Sequence, residues 1–470
     1  RILDLMSGLV NKSMVNAEHK QSEETRYRLL ETVRQYAREK LYEAKESLDF
    51  YDRHLDYYLD LAETIEPKLR TPTALEGLHT LGREADNLRS ALSWALDDTG
   101  SQNIEAGLRL ASALLNFWHT QNFQNEGSAW LKKGLSALPI NPADLIIRAK
   151  ACFATGHLVL ALGRTAEARK WIEESLSIYK NNEDISGVVM AQSLLGEICG
   201  WSDAFDQAKE LGATSLAICR TLNDPWLLAW VLCRYGTSIY FHGEPIMAQS
   251  LFEESLGIFE QLGDSLQVGD LYLMLGEITF EGGDFTNARI FNGKGLAAAR
   301  AMQSKSTEAN ALQNLSFINY IEGDYQQMQN ELMESVALKR AMGHPYLWNA
   351  LLPLAVAEIN LAHPDHALLY FKELLRMTID PVSVPVSLIG IARVSLQTNH
   401  ILTAAQLLGA AKHWLSESYH LSRLIERIEY ERGWAEIKDR LGEPGIEQAI
   451  SEGEALALNE AVALALSLDI

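Results

Sequence analysis

Four glycines stand forty residues apart, Gly156, Gly196, Gly236 and Gly276, and each is followed twelve residues later by an alanine: Ala168, Ala208, Ala248 and Ala288. The series continues in weaker form through Ser316 with Met328 and Ala355 with Ala367, at spacings of forty and thirty-nine. Self-similarity at a fixed period confines a chain to repeat architectures, because each unit buries its apolar face against its neighbours rather than within itself. A second trace recurs with the first: Trp171-Ile172-Glu173-Glu174-Ser175-Leu176, Leu251-Phe252-Glu253-Glu254-Ser255-Leu256 and Leu332-Met333-Glu334-Ser335-Val336. Polar turns such as His242-Gly243-Glu244-Pro245, Glu281-Gly282-Gly283-Asp284 and Glu322-Gly323-Asp324 divide each unit into two amphipathic helices. Small residues fall where the paired helices cross, since a larger side chain would push the backbones apart. The expected fold is therefore all-α, a right-handed α-solenoid of helix pairs with a long concave wall.

Weaker units flank the clear ones. Residues 101–140 carry Phe117-Trp118 and Ala129-Trp130-Leu131 as a degenerate preceding pair, and residues 385–415 carry Thr403-Ala404-Ala405-Gln406-Leu407-Leu408-Gly409 as a following one. The solenoid thus spans 101–415, preceded by a helical connector at 51–100 and closed by capping helices within 416–470, at 421–441, 445–454 and 456–467. Glu426, Glu429, Glu431, Lys438 and Arg440 are expected to give that cap a polar outer face. Residues 1–50 break the pattern: an apolar helix at Ile2–Val10, two short strands around the polar run Glu18–Glu24, then a helix from Glu31 to about Ala44. Helix, hairpin wing, helix is the outline of the last part of a winged-helix domain.

Charge narrows the function. With 41 basic and 62 acidic residues the chain carries −21, yet its first fifty residues hold nine of each, so the deficit falls entirely on the body. An acidic body repels phosphate, which argues against direct nucleic-acid binding by the solenoid. No run of eighteen apolar residues occurs and Arg1-Ile2-Leu3-Asp4 lacks a signal-peptide layout, so neither a membrane nor secretion is expected and the location is read as cytoplasmic. The absence of an initiating Met suggests a chain that begins inside a longer protein. Cys152, Cys199, Cys219 and Cys233 form no C-x-x-C pair and are expected as free thiols.

Catalytic signatures are missing. No G-x-x-x-x-G-K-[ST], G-x-S-x-G, H-E-x-x-H or G-x-G-x-x-G run occurs. The chain is therefore read as a non-enzyme without a cofactor of its own. His363-Pro364-Asp365-His366 places two imidazoles three apart, but Pro364 points to an inter-helix loop and no metal site is expected.

Function is expected on the concave wall, formed by the first helix of each pair. There the register collects His157 from one unit, Glu197 and Trp201 from the next, and Trp230, Thr237, Tyr240 and Phe241 from the third. Later units add Glu277, Phe280, Phe317, Tyr320 and Asn349. Aromatic anchors with a few polar groups suit a peptide groove or a small-molecule pocket; the plainer reading is that the rings fill the superhelix interior. Carboxylates on this wall favour a cationic or apolar ligand.

The Gly-then-Ala pattern over roughly 149–380 resembles the tetratricopeptide repeat, whose unit is about thirty-four residues; the surplus here is assigned to longer helices or to linkers. The carboxylate clamp of tetratricopeptide co-chaperones is not matched, since the corresponding positions hold Phe153, Ser193, Cys233, Glu197 and Glu277. A second resemblance rests on Leu9-Val10-Asn11-Lys12-Ser13-Met14-Val15, Tyr27-Arg28-Leu29-Leu30-Glu31-Thr32-Val33-Arg34-Gln35-Tyr36-Ala37, and Glu84-Ala85-Asp86-Asn87-Leu88-Arg89-Ser90-Ala91-Leu92-Ser93-Trp94-Ala95. These are similar to the winged-helix end and repeat connection of bacterial signal-transduction ATPases of the STAND family, and Glu452–Leu468 is similar to the sensor end of LuxR-type members. The resemblance implies an effector-sensing module, binding a small molecule, peptide or protein partner and relaying to an upstream core where ATP would bind. The alternative is a constitutive scaffold for a protein partner.

Overall fold

In the computed structural model, residues 2–18, 25–97, 103–139, 141, 144–201, 204–377, 383–418, 424–439 and 445–469 are described. The chain opens with α1 (Ile2–Asn11), an antiparallel hairpin of β1 (Val15–Glu18) and β2 (Arg26–Leu29), and α2 (Glu31–Glu43). Val15 pairs with Leu29 and Glu18 with Arg26. Helix, wing and helix stand where the hydrophobic pattern puts them.

The connector is helical: α3 (Ser47–Ile65), a 3-10 turn at Glu66–Arg70, α4 (Ala74–Arg83) and α5 (Ala85–Asp97). The weak leading unit follows as α6 (Ile104–Ala113), α7 (Leu115–Thr120) and α8 (Gln124–Ala137). Regular pairs then succeed one another: α9 (Leu145–Ala161) with α10 (Thr165–Asn181), α11 (Ile185–Gly200) with α12 (Phe205–Cys219), and α13 (Pro225–Tyr240) with α14 (Pro245–Leu262). After these come α15 (Ser265–Glu281) with α16 (Phe285–Ala301), α17 (Lys305–Glu322) with α18 (Tyr325–Met342), α19 (Trp348–Asn360) with α20 (Pro364–Met377), and α21 (Ser383–Gln397) with α22 (Ile401–Ser418). The cap is α23 (Leu424–Lys438), α24 (Ile446–Glu454) and α25 (Leu458–Ser467). The chain is an α-solenoid of tetratricopeptide-like helix pairs, and its surplus residues lie in helices such as α9 and α10, each of 17 residues.

Three local devices account for the period. Asp184, Asp224 and Asp264, forty residues apart, cap α11, α13 and α15 by accepting from the backbone N–H three residues on. At the crossings, a Cβ on Gly156 would meet Ile172 at 2.6 Å and one on Gly236 would meet Phe252 at 2.7 Å, so glycine makes room for the facing side chain. The recurring serine of the second helix ties the pair together: the hydroxyls of Ser175, Ser255 and Ser335 donate to the carbonyls of Ala149, Ala229 and Ala309 at 2.7–2.8 Å, each 26 residues back.

The superhelix turns back on itself. Pro72 of the connector packs on Gly263 between α14 and α15, and the Tyr346 hydroxyl, between α18 and α19, reaches the turn at Gly163. Leu266 and Met302 join the apolar cluster built on Leu55, Leu69, Leu88 and Leu108 of the connector and leading unit. The concave wall thereby lines a cavity that stays open to solvent beside Trp201 and Phe241.

The expected polar face of the cap is corrected at one residue. Glu429 is 4% exposed, ion-paired with Arg393 and accepting from Arg432 at 3.0 Å, and it points into the solenoid rather than outward. Glu426 and Arg440 lie outside the residues whose side chains are described.

Candidate functional site

The interior holds a cavity of about 440 Å³ bounded by α7, α9, α11, α13, α15, α17 and the loop before α19. Among the expected residues, His157, Glu197, Trp201, Thr237, Phe241, Glu277, Phe317 and Asn349 line it. Phe280 lines a narrower apolar cleft beside it, together with Leu352, Val356 and Ile389, and the two spaces share Glu277, Asn314 and Phe317.

Three expected contacts lie elsewhere. Trp230 is 3% exposed behind the wall, where its ring backs the Arg234 guanidinium 5.2 Å away and stacks on Trp226. Tyr240 is buried in the same core cluster. Tyr320 donates to Glu429 and accepts from Arg432 at 3.1 Å, so it anchors the cap rather than the cavity. All three rings follow the concave register in sequence, but their length carries them into the packing between helices.

The electrostatic centre is a pair that residue counting had read as purely acidic. Arg234 Nη1 donates to Glu197 Oε2 at 3.0 Å, with the arginine side chain 19% and the glutamate 5% exposed. Burial works against the Arg234 charge, but Glu197, Cys233 and Asp270 outweigh it and hold the guanidinium firmly protonated. Asp270 projects into the cavity with Thr307 donating to it at 2.8 Å. Enclosure by protein pushes its carboxyl up, against the pull of Thr307, His119 and Arg234. Lys339, 1% exposed, lines the same space and donates to Gln313 at 2.7 Å. The wall is therefore mixed in sign, and the expectation of a cationic or apolar ligand gives way to one for a ligand with both polarities.

Two imidazoles complete it. His119 and His157 lie with ring centroids 5.4 Å apart, and among the described residues the buried Nδ1 atoms of both have no hydrogen-bond partner. Burial, then Arg234 and His119, hold His157 well below its ordinary value, and burial lowers His119 as well. Both rings line the cavity with their charged forms disfavoured, and their Nδ1 atoms are buried against protein. Cys233 is pushed up to about 11 by burial, so its thiol is protonated and inert as a nucleophile.

Arg234, Asp270, His119 and Lys339 escaped the sequence reading for a positional reason. The wall was followed mainly through the residue after each crossing glycine, at 157, 197, 237 and 277, whereas Asp270 and Asn310 stand one to two turns earlier, six residues before Gly276 and Ser316. Of the four, that offset marks Asp270 alone; it also holds Trp230, which lies behind the wall, and Arg234, His119 and Lys339 share no offset from the crossing residues.

The histidine pair expected in a loop is placed differently. His366 lies in the first turn of α20, Pro364 opens that helix, and both His363 and His366 face the buried carboxylate of Glu358 on α19.

Comparison with known proteins agrees with this architecture. A family described as a winged helix-turn-helix domain matches residues 1–42. Proteins of Mycobacterium bovis and Mycobacterium tuberculosis named “Putative HTH-type transcriptional regulator” are 29% identical over 316 residues, covering 65% of this chain and 35% of theirs. This chain is homologous to those HTH-type regulators. It spans about a third of their length. Among solved structures, the STAND protein with a tetratricopeptide repeat sensor from Pyrococcus horikoshii superposes with a TM-score of 0.53 at 17% identity, covering 93% of this chain and 59% of that one. A Rap protein complexed with Competence and Sporulation Factor gives 0.50 at 14% identity, covering 70% and 97%. At these identities the structural likenesses speak for the fold. No helix among the described residues is long and apolar enough to cross a membrane.

Proposed function

We propose that this chain is the sensor and relay of an HTH-type regulator, working by binding rather than catalysis and needing no cofactor of its own. The observation that carries the reading is the interior cavity with the Glu197–Arg234 pair at its centre and the His119 and His157 rings in its wall. Exposed Trp201 and Phe241, ring centroids 5.9 Å apart, flank the polar centre with apolar surface. A small amphiphilic molecule or a short peptide, bearing both a hydrogen-bonding and an apolar part, matches that lining. The Rap protein of similar fold was crystallised in complex with Competence and Sporulation Factor, which supports a ligand-holding role for such a superhelix.

The relay runs through the connector. Pro72 and Arg70 touch the α13–α15 region on one side, and α3 leads directly to the winged helix on the other. A ligand that binds one superhelical pitch better than another shifts the connector's seating, and the shift is limited to that difference in affinity. Leu5, Tyr36, Tyr42 and Phe50 stand exposed on the first fifty residues and would be covered by an upstream ATPase core in the full-length protein, in the cytoplasm. Removing residues 101–415 from the full-length regulator should change its basal transcriptional output; an output identical to that of the intact protein would overturn the sensor role.

A further inference from the structure

Where α19 turns into α20, three side chains of metal-ligating type meet at the edge of the solenoid. Glu358 Oε2 lies 2.9 Å from His363 Nδ1 and 3.7 Å from His366 Nδ1, and one donor atom from each of the three falls within 4.8 Å of the others. We infer that Glu358, His363 and His366 form a binding site for a divalent transition-metal ion of the zinc class, with water in the fourth position.

The donor set fits that chemistry. Two neutral imidazoles and one carboxylate are the borderline ligands zinc takes, and three protein ligands leave an open tetrahedral position. Tetrahedral bonds of about 2.0–2.2 Å set the donor atoms roughly 3.3–3.5 Å apart, and the observed 2.9 and 3.7 Å bracket that spacing. The two imidazole rings, with centroids 5.8 Å apart at 62°, converge on the carboxylate from different sides.

Burial and charge point the same way. Glu358 is 2% exposed, and among the described residues no lysine or arginine pairs with it. An ionised carboxylate taken out of water needs compensation, and here the groups facing its Oε2 are imidazoles. Its other oxygen accepts from Gln329 on α18 at 2.9 Å, an outer contact that holds Oε2 toward the histidines. The turn is fixed too, since the His363 backbone N–H donates to the Glu358 carbonyl at 2.9 Å. His363 and His366 remain 49% and 64% exposed, so an ion and its water reach the site from solvent. Bound metal would link three consecutive helices, α18 to α20, independently of what fills the interior cavity.

Cobalt(II) tests this on the intact chain stripped of metal by a chelator. The expected result is one saturating equivalent with the visible bands of four-coordinate cobalt, displaced by Zn²⁺, and a Zn²⁺-dependent rise in melting temperature. His366→Ala removes an exposed side chain and should abolish both signals while leaving the metal-free melting temperature unchanged. Gln329→Ala should weaken binding by about 10-fold or more by freeing the carboxylate. A cobalt spectrum that stays that of the hydrated ion, or one that is the same in His366→Ala as in the parent, would overturn the site, the second by placing the metal on other ligands such as the cysteines.

Discussion

The guanidinium of Arg70 lies over the indole of Trp226, 3.7 Å from the ring centroid, joining the connector to the third regular helix pair of the solenoid. Trp226 in turn donates to Asp264 at 2.8 Å, and Asp264 caps α15, so one chain of contacts runs from the connector to a helix that lines the cavity. A desolvated cation–π contact is worth about 2 kcal/mol. Arg70→Ala should lower unfolding free energy by about that amount in urea titration, and hydrogen exchange should rise at Glu66–Arg70 before it rises in α9 and α10. Equal protection in variant and parent would remove this contact from the relay.

The helix-pair bolt makes a separate forecast. Ser255 is fully buried and its hydroxyl donates to the Ala229 carbonyl at 2.7 Å. Ser255→Ala should cost about 1 kcal/mol, and the same change at Ser175 or Ser335 should cost a similar amount, with the losses adding because the sites are separate. Ser215 occupies the same place in the intervening unit, and among the described residues its hydroxyl has no partner, so Ser215→Ala should be neutral or slightly stabilising. Urea midpoints for the four single variants check the contrast.

Most of this frame was visible in the residues. Gly156, Gly196, Gly236 and Gly276 announce the helix pairs because the crossings are close, tightest at Gly156, Gly236 and Gly276, where a Cβ would meet the facing side chain below 3.0 Å, and that constraint leaves a periodic mark. Glu429 was misread because a single glutamate near the end of a solenoid looks like a polar cap; its partners Tyr320 and Arg393 are distant in sequence, and Arg432, one turn on in the same helix, reads as an ordinary surface pair. Glu358 was not joined to the histidine pair because it lies on the preceding helix, and only the turn between α19 and α20 brings it back against them. Closure of the superhelix through Pro72 on Gly263 and Tyr346 on Gly163 depends on curvature, which small differences at every interface accumulate and no single residue encodes.

The cap depends on a close helix approach. A Cβ on Gly453 of α24 would overlap the Gln406 carbonyl oxygen of α22, and one on Gly409 of α22 would overlap that of Ile450. Backbone cannot step aside as a side chain can, so Gly453→Ala should destabilise the cap by about 1–3 kcal/mol. Proteolysis should then cut preferentially after α22, whereas cleavage spread evenly along the chain would contradict the packing.

Acid should loosen the protein through its buried histidines. His344 accepts from the Tyr346 N–H on Nδ1 and is held down to about 4 by burial and by Lys339. His157 is lowered in the same direction. Between pH 6.5 and about 4 the unfolded chain takes up a proton at His344 that the folded protein refuses, so stability falls as pH drops through that window. The slope from one such group is at most about 1.4 kcal/mol per pH unit, and His344→Gln should flatten it. Unfolding free energies at pH 7, 6 and 5 decide this, and a slope unchanged in the variant would assign the acid sensitivity to other groups.

A thermal-shift screen of the intact chain against metabolites and short peptides tests the central claim most directly, since a ligand of the native state raises the melting temperature by mass action. Trp201→Ala and Phe241→Ala, both exposed at the cavity, are the controls. The account predicts a concentration-dependent rise for at least one amphiphilic compound or peptide, lost in both variants. No rise with any compound, or a rise that survives in both variants, would contradict a sensing role for the interior.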